Sequence, residues 1–358
     1  MGGINSGLMK ISPYDFTVGM YVGTDLFVER NDNLLLLCSH ATLTEDLVAK
    51  LMDFAADGND LYLDSAYYQQ MGRHYKVTEP PSREQRAHDK QCATMTQLLE
   101  VISKTDQVPW QLVDQMVTAL QQQMDDNEPA VLLQCIGVPH QNDLGTHSLN
   151  VALLSGLLAR WLKLAAKPTQ QLITIGLLHD VGKTRISPEL LNKATRLTSA
   201  EFALLRKHPL YSQEILSHAG MSDSEILSAV RSHHEMLNGS GYPDGLKVDK
   251  IPEFSKLLAI TDSYVGLVQK QIKDVYLSPF VILGQFATDK FSMLDFRYAN
   301  IFLTQVGLAF VGKLVRLSDN SIGTVLYVDR EKMAYPIVER NGQAVPTSPE
   351  LYCITLLN

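Results

Sequence analysis

From residue 9 to about 66 the chain alternates short apolar runs with turn residues. Met20-Tyr21-Val22, Leu34 to Leu37 and Leu61-Tyr62-Leu63 have the length of strands, and the apolar spacing from Leu43 to Ala55 predicts a helix among them. That mixture reads as a small α+β domain. Residues 74 to 91 are dense in charge around Pro80-Pro81 and read as a linker entering a helix. From about 92 to 310 the period is helical nearly throughout, in the stretches Thr94–Ile102, Leu112–Met124, His147–Leu164, Gln170–His179, Ala200–Arg206, Ser212–His218, Ser224–His233 and Phe254–Val268. After 311 the period shortens again. Lys313 to Leu317, Gly323 to Val328 and Tyr352 to Leu357 are strand-like, with Asp319-Asn320 and Asn341-Gly342 as turns. The expected fold class is mainly α: a multi-helix domain at 92–310, preceded by a small α+β domain and linker at 1–91 and followed by a short β-rich extension at 311–358.

Composition narrows the function more than the fold. The chain has 358 residues, 45% of them hydrophobic, and a formal net charge of −8, which argues against sequence-independent binding to a nucleic-acid polymer. A small anionic ligand remains compatible, because bound cations reverse the charge inside one pocket. The four cysteines (Cys38, Cys92, Cys135, Cys353) are scattered with no CxxC pairing, so neither a disulfide framework nor a zinc knuckle is expected. The most apolar stretch, Val151 to Leu164, is interrupted by Arg160 and Lys163 and falls short of the ~20 residues of a membrane span. No signal-peptide pattern opens the chain, and a cytoplasmic location is expected.

Chemistry concentrates in the helical zone. His179-Asp180 ends an apolar helical pattern, and adjacent helical side chains point ~100° apart, so the pair can address two ions or one ion from two sides. Lys183 follows on the same face if the turn continues. A charged helix end, favoured by the dipole, would give the same letters without chemistry. His233-His234 is a second pair; the zinc-protease spacing fails, because Asn238 stands where another histidine is required. Asn238-Gly-Ser-Gly-Tyr-Pro-Asp-Gly follows, a loop whose glycines (Gly239, Gly241) allow close approach of backbone to a ligand and which displays Tyr242. His147 begins one helix, with Asp143 four residues earlier, and His208-Pro209 ends another. Asp262 lies in an apolar helix, where a carboxylate needs a cation or another partner.

In this order, with Thr-His-Ser-Leu-Asn-Val-Ala (146–152), Leu-Leu-His-Asp-Val-Gly-Lys (177–183), Lys-His-Pro (207–209) and His-His-Glu-Met-Leu-Asn-Gly-Ser-Gly-Tyr-Pro (233–243), the chain resembles the HD-GYP family over roughly residues 110 to 310. The resemblance implies a metal-dependent phosphodiesterase for cyclic di-GMP or a related cyclic dinucleotide. It implies one ion held by His147, His179, Asp180 and Asp262, and a second sharing Asp180 with His208, His233 and His234. Asp143 would serve a third. Fe or Mn suits such mixed ligands, with Zn as an alternative. Lys183 would neutralise charge on the phosphate, while Gly239, Gly241 and Tyr242 would shape the substrate pocket. The N-terminal stretch from Ile11 to Val22 looks, more weakly, like a small domain that often precedes this catalytic domain. Two positions depart from the pattern. Gln271 stands where the family has a substrate-holding arginine, and Asn238 where it has an aspartate. A dinucleotide sensor with little turnover, or an HD hydrolase of another phosphoester, therefore stays open, as do a homodimer or a signalling partner protein.

Overall fold

A computed structural model describes residues 8–11, 21–22, 26–28, 34–37, 41–42, 44, 47–51, 61–64, 83–137, 143–191, 193, 195, 197–269, 271–272, 275–290 and 293–357. The chain divides into two compact units, Met1–Ser82 and Arg83–Asn358.

In the first unit β1 (Leu8–Ile11), β3 (Leu26–Val28), β4 (Leu34–Leu37) and β6 (Leu61–Asp64) form an antiparallel sheet in the order β1-β6-β3-β4. β2 (Tyr21–Val22) pairs with β5 (Ala41–Thr42). The three apolar runs singled out in the sequence fall on strands, except Met20, which lies outside the described residues. Of the helix expected at 43–55, residues 47–51 are helical, and most of the remainder lies outside the described residues.

The second unit is a helical assembly: α1 (Arg83–Thr105), α2 (Trp110–Gly137), α3 (Leu144–Trp161), α4 (Ala166–Leu178), α5 (Ser199–Leu205), α6 (His208–His218), α7 (Ser224–Ser232), α8 (Glu253–Val268), α9 (Pro279–Gln285) and α10 (Phe296–Ala309). α1 starts inside the charged stretch read as linker. Arg86, Asp89 and Lys90 are its exposed face, and His88 points inward, so the charge belongs to a solvated helix side. α2 continues past Met124 only through a break at Asn127, two residues before Pro129, whose ring cannot continue regular helical hydrogen bonding.

α3 is apolar nearly all round and is the centre of the unit, buried along most of its length and packed against α1, α2, α4 and α8. This placement matters for function. α3, α4 and α8 carry His147, His179-Asp180 and Asp262, so their close packing brings those side chains together. One sequence expectation is corrected here. His208-Pro209 does not end a helix; it begins α6, with the proline in the first turn, where a missing N–H costs nothing.

At the C-terminus β9 (Leu314–Leu317), β10 (Ile322–Tyr327), β11 (Ile337–Arg340), β12 (Gln343–Pro346) and β13 (Cys353–Leu357) form a sheet in the order β12-β11-β10-β9-β13. The Asn341-Gly342 turn has positive φ at both residues, with Arg340 paired to Gln343, as a two-residue hairpin requires. The short strands β7 (Gln271–Ile272) and β8 (Val275–Tyr276) form a separate antiparallel pair.

Candidate metal centre

The last carbonyls of a helix lack intrahelical partners, and three histidines use this. His179 Nδ1 lies 2.8 Å from Gly176 O at the end of α4, His208 Nδ1 lies 2.7 Å from Leu205 O at the end of α5, and His233 Nδ1 lies 2.7 Å from Val230 O near the end of α7. A ring nitrogen facing a carbonyl must carry the proton, so each ring donates from Nδ1 and presents a bare Nε2 lone pair on its other side. His147 follows the same plan from the first turn of α3, with Nδ1 2.8 Å from Gln269 Oε1.

The bare nitrogens converge on two carboxylates. Asp180 Oδ1 is 3.0 Å from His208 Nε2 and 3.7 Å from His233 Nε2, and Asp180 Oδ2 is 3.3 Å from His179 Nε2 and 3.6 Å from His147 Nε2. Asp262 Oδ1 is 3.0 Å from His147 Nε2, and Asp262 Oδ2 is 3.5 Å from His234 Nδ1. His234 Nε2 meets His208 Nε2 at 3.1 Å. Two groups result, Asp180-His208-His233-His234 and His147-His179-Asp262, each with its ligand atoms within 4.8 Å of one another.

The donor set fits cations. An unprotonated Nε2 and a carboxylate oxygen at 3.0 Å have no proton to share, and His179 Nε2 and Asp180 Oδ1 are buried without a hydrogen-bond donor. Such an arrangement of lone pairs is costly unless a positive ion sits among them. Burial pushes the imidazoles of His179, His208 and His234 below the usual value of 6.5, towards the neutral form that ligates. For Asp180, burial would raise the carboxyl, but the Lys183 ammonium and the rings of His179 and His208 outweigh it and hold it ionised. Asp262 is likewise held down against burial, chiefly by the neighbouring imidazoles of His147 and His234.

Glycines make the convergence sterically feasible at two points. A Cβ on Gly182 would lie 2.1 Å from His208 O and 2.4 Å from Ser212 N, so only glycine lets the turn after Asp180 touch the start of α6. A Cβ on Gly241 would lie within 2.5 Å of the His234–Met236 backbone. The loop can therefore fold back onto the histidine pair, placing the Tyr242 ring 4.7 Å from the His234 ring and 6.2 Å from that of His208. Gly239 takes up a positive φ of 78° in the same loop.

Lys183 forms an ion pair with Asp180 Oδ2 while its side chain is 23% exposed, so it stands at the rim of the cluster. Asp143 is elsewhere. Its backbone is extended, not helical, and its carboxylate caps α3 by accepting from Thr146 N at 2.8 Å, outside both ligand groups. Gln271 lies on β7, beyond the end of α8, and its side chain lies outside the described residues.

Sequence reasoning missed three residues. Glu235 is buried and accepts from the backbone N–H groups of Asp244 (2.7 Å), Gly245 (3.0 Å) and Leu246 (2.8 Å), anchoring the far end of the glycine loop. Its position directly after the histidine pair and before a loop rich in free amides was the available signal. Gln269, which orients His147, and Arg206, whose guanidinium lies 4.7 Å above the Tyr242 ring, left no signal in the local pattern.

A family model described as an HD domain matches residues 138–276, so that stretch is similar to an HD domain. Its curated relatives include a cyclic di-GMP phosphodiesterase of Pseudomonas aeruginosa, 30% identical over 193 residues (54% of this chain, 46% of that one). A cyclic di-GMP phosphodiesterase of Borreliella burgdorferi is 28% identical over 203 residues (56% and 53%). A 3'3'-cGAMP-specific phosphodiesterase of Vibrio cholerae is 34% identical over 130 residues (36% and 25%). The chain thus spans about half the length of the first two. Among solved structures, an HDG"Y"P protein from Bdellovibrio bacteriovorus shares the fold, with a TM-score of 0.51 and 17% identity over 84% of this chain and 99% of that one. These comparisons agree with the HD-GYP resemblance of the sequence.

Proposed function

We propose that this chain is a metal-dependent phosphodiesterase that opens cyclic di-GMP or a related cyclic dinucleotide to a linear dinucleotide or mononucleotides. The observation that carries the reading is Asp180, whose two oxygens each face a different set of bare imidazole nitrogens, so that it could contribute to both ion sites. His147, His179, Asp180 and Asp262 would hold one ion, and Asp180, His208, His233 and His234 the other. The proposal is for two ions and not three, because the Asp143 carboxylate is committed to a helix cap. Fe or Mn suits the ligands, with Zn next. Two such ions lower the pKa of water and draw charge from phosphoryl oxygens.

The chain's own groups do the rest. Lys183, at the rim, neutralises the phosphate as its leaving ribose oxygen departs. Tyr242, its phenol pushed up by burial and therefore a neutral donor, borders the space above His234 and His208. Glu235 keeps the loop closed behind it. No described helix is long and apolar enough to cross a membrane, and we place the activity in the cytoplasm.

Metal-reconstituted protein incubated with several cyclic dinucleotides, with the products separated by chromatography, tests the reading. Linear products dependent on the ions support it; two ions bound per chain and no cleavage overturn it. That second result would favour a sensor, the reading that Gln271 supports by replacing the arginine expected from the resemblance.

A further inference from the structure

Arg206 is an arginine with no acid. Arg160, Arg185, Arg231 and Arg297 each meet a carboxylate, whereas among the described residues none lies within ion-pair distance of Arg206. Its guanidinium is held by two rings instead, with Cζ 4.7 Å from the Tyr242 centroid and 5.5 Å from that of Phe202. Nη2 makes a long contact of 3.4 Å to Gly241 O, and Nε is buried without an acceptor. A guanidinium stacked on aromatic faces keeps its N–H edge available for a planar or tetrahedral anion. It is also one ring removed from the ligand groups, because Tyr242 packs on His234.

We infer that Arg206 anchors the substrate by binding a phosphate other than the one under attack, with Tyr242 holding the guanidinium in place. The assignment rests on the cyclic-dinucleotide reading, since only a substrate with two phosphates offers one that is not under attack. A cation that grips a remote phosphate equally in ground and transition states changes affinity and not turnover. Arg206 belongs to neither ligand group, and its backbone, not its side chain, closes α5.

The test compares wild type, Arg206→Gln and Arg206→Lys as metal-loaded full chains. Arg206→Gln should raise KM for cyclic di-GMP about tenfold, as loss of one charge-assisted contact does. Turnover should stay within about threefold and metal content should not change, and Arg206→Lys should recover part of the loss. An unchanged KM, or a fall in turnover at constant KM, overturns the assignment, because Arg206 would then act only on Tyr242 or not at all. Calorimetry with cyclic di-GMP separates this failure from failure of the reaction itself. If wild type binds without cleaving and Arg206→Gln binds tenfold more weakly, the anchor stands and hydrolysis falls. If both bind alike, or neither binds, the anchor falls.

Discussion

His179, His208 and His233 are each fixed at Nδ1 by a helix-end carbonyl, and each turns its Nε2 into the candidate metal cluster. Beside them Lys183 is held by an ion pair, Arg206 by two ring faces and a long contact to Gly241 O, and Tyr242 by ring stacking. The candidate ligand core is buried and anchored to helix ends, whereas the rim is partly exposed and held mostly by side-chain contacts. A core that must hold charge in a fixed geometry gains from rigidity. A rim that must admit and release an anion of several rings gains from looser attachment. Substitutions in the two regions should therefore fail differently, the first by losing ions and the second by losing affinity or rate.

The largest effect is expected at Asp180. Asp180→Ala removes both bridging oxygens, so elemental analysis should find fewer than one ion per chain and turnover should fall beyond detection. A variant that kept two ions would dissolve the distinction between core and rim. Next, Lys183→Ala should lower turnover by about 10²–10³-fold, the usual cost of one lost charge stabiliser, while ion content stays near that of wild type. Loss of ions in that variant would move Lys183 from the rim to the core, through its contact with Asp180. Glu235→Gln should cost about 2 kcal/mol in thermal or denaturant unfolding, because three backbone N–H groups lose a charged acceptor. Its KM should rise while its ions stay.

Acid gives a gentler probe. The imidazoles of His179, His208 and His234 titrate below their ordinary 6.5 in the fold and outnumber His147, which Asp262 raises against burial, so below that pH the unfolded chain binds more protons than the folded one. The melting temperature of metal-free protein should therefore fall as pH drops from about 7 towards 5. The depressed carboxyls of Asp180 and Asp262 add a second loss only below their ordinary 3.8. A melting temperature that rises over the first interval would contradict the buried, neutral histidines. The smallest effect is expected at Gln271→Arg, which should lower KM by up to about tenfold if β7 borders the substrate; no change in KM would place that strand away from it.

Much of the core is legible in the sequence because each ligand motif sits at a helix boundary, where the apolar period stops beside a glycine or a second polar residue. His179-Asp180 and His233-His234 announce themselves that way, and Asp262 does so as a charge inside an apolar stripe. Asp143 misleads for a related reason. Four residues before His147 is the same face only if both are helical, and Asp143 is the residue that caps the helix from outside. The start of α1 is hidden because a solvated helix face and a charged linker have the same composition. Gln269 and Arg206 could not be read, because their partners are a ring 122 positions away and an aromatic face, neither of which imposes a period on the chain; Glu235 had only its place after the histidine pair to mark it.

The bonds from imidazole Nδ1 to the carbonyls of Gly176, Leu205 and Val230 make three helix ends and one inorganic site parts of the same arch, with the rings as keystones. An ion on the inner nitrogen would fix the ring, and the fixed ring would hold the final helical turn behind it. Unloading would free the ring to swing, and the terminal carbonyls would return to water. Fraying of α4, α5 and α7 and occupancy of the centre would then be one equilibrium seen from two sides. Deuterium uptake at the last amides of these helices would report the state of the ions in a protein that has never met its substrate.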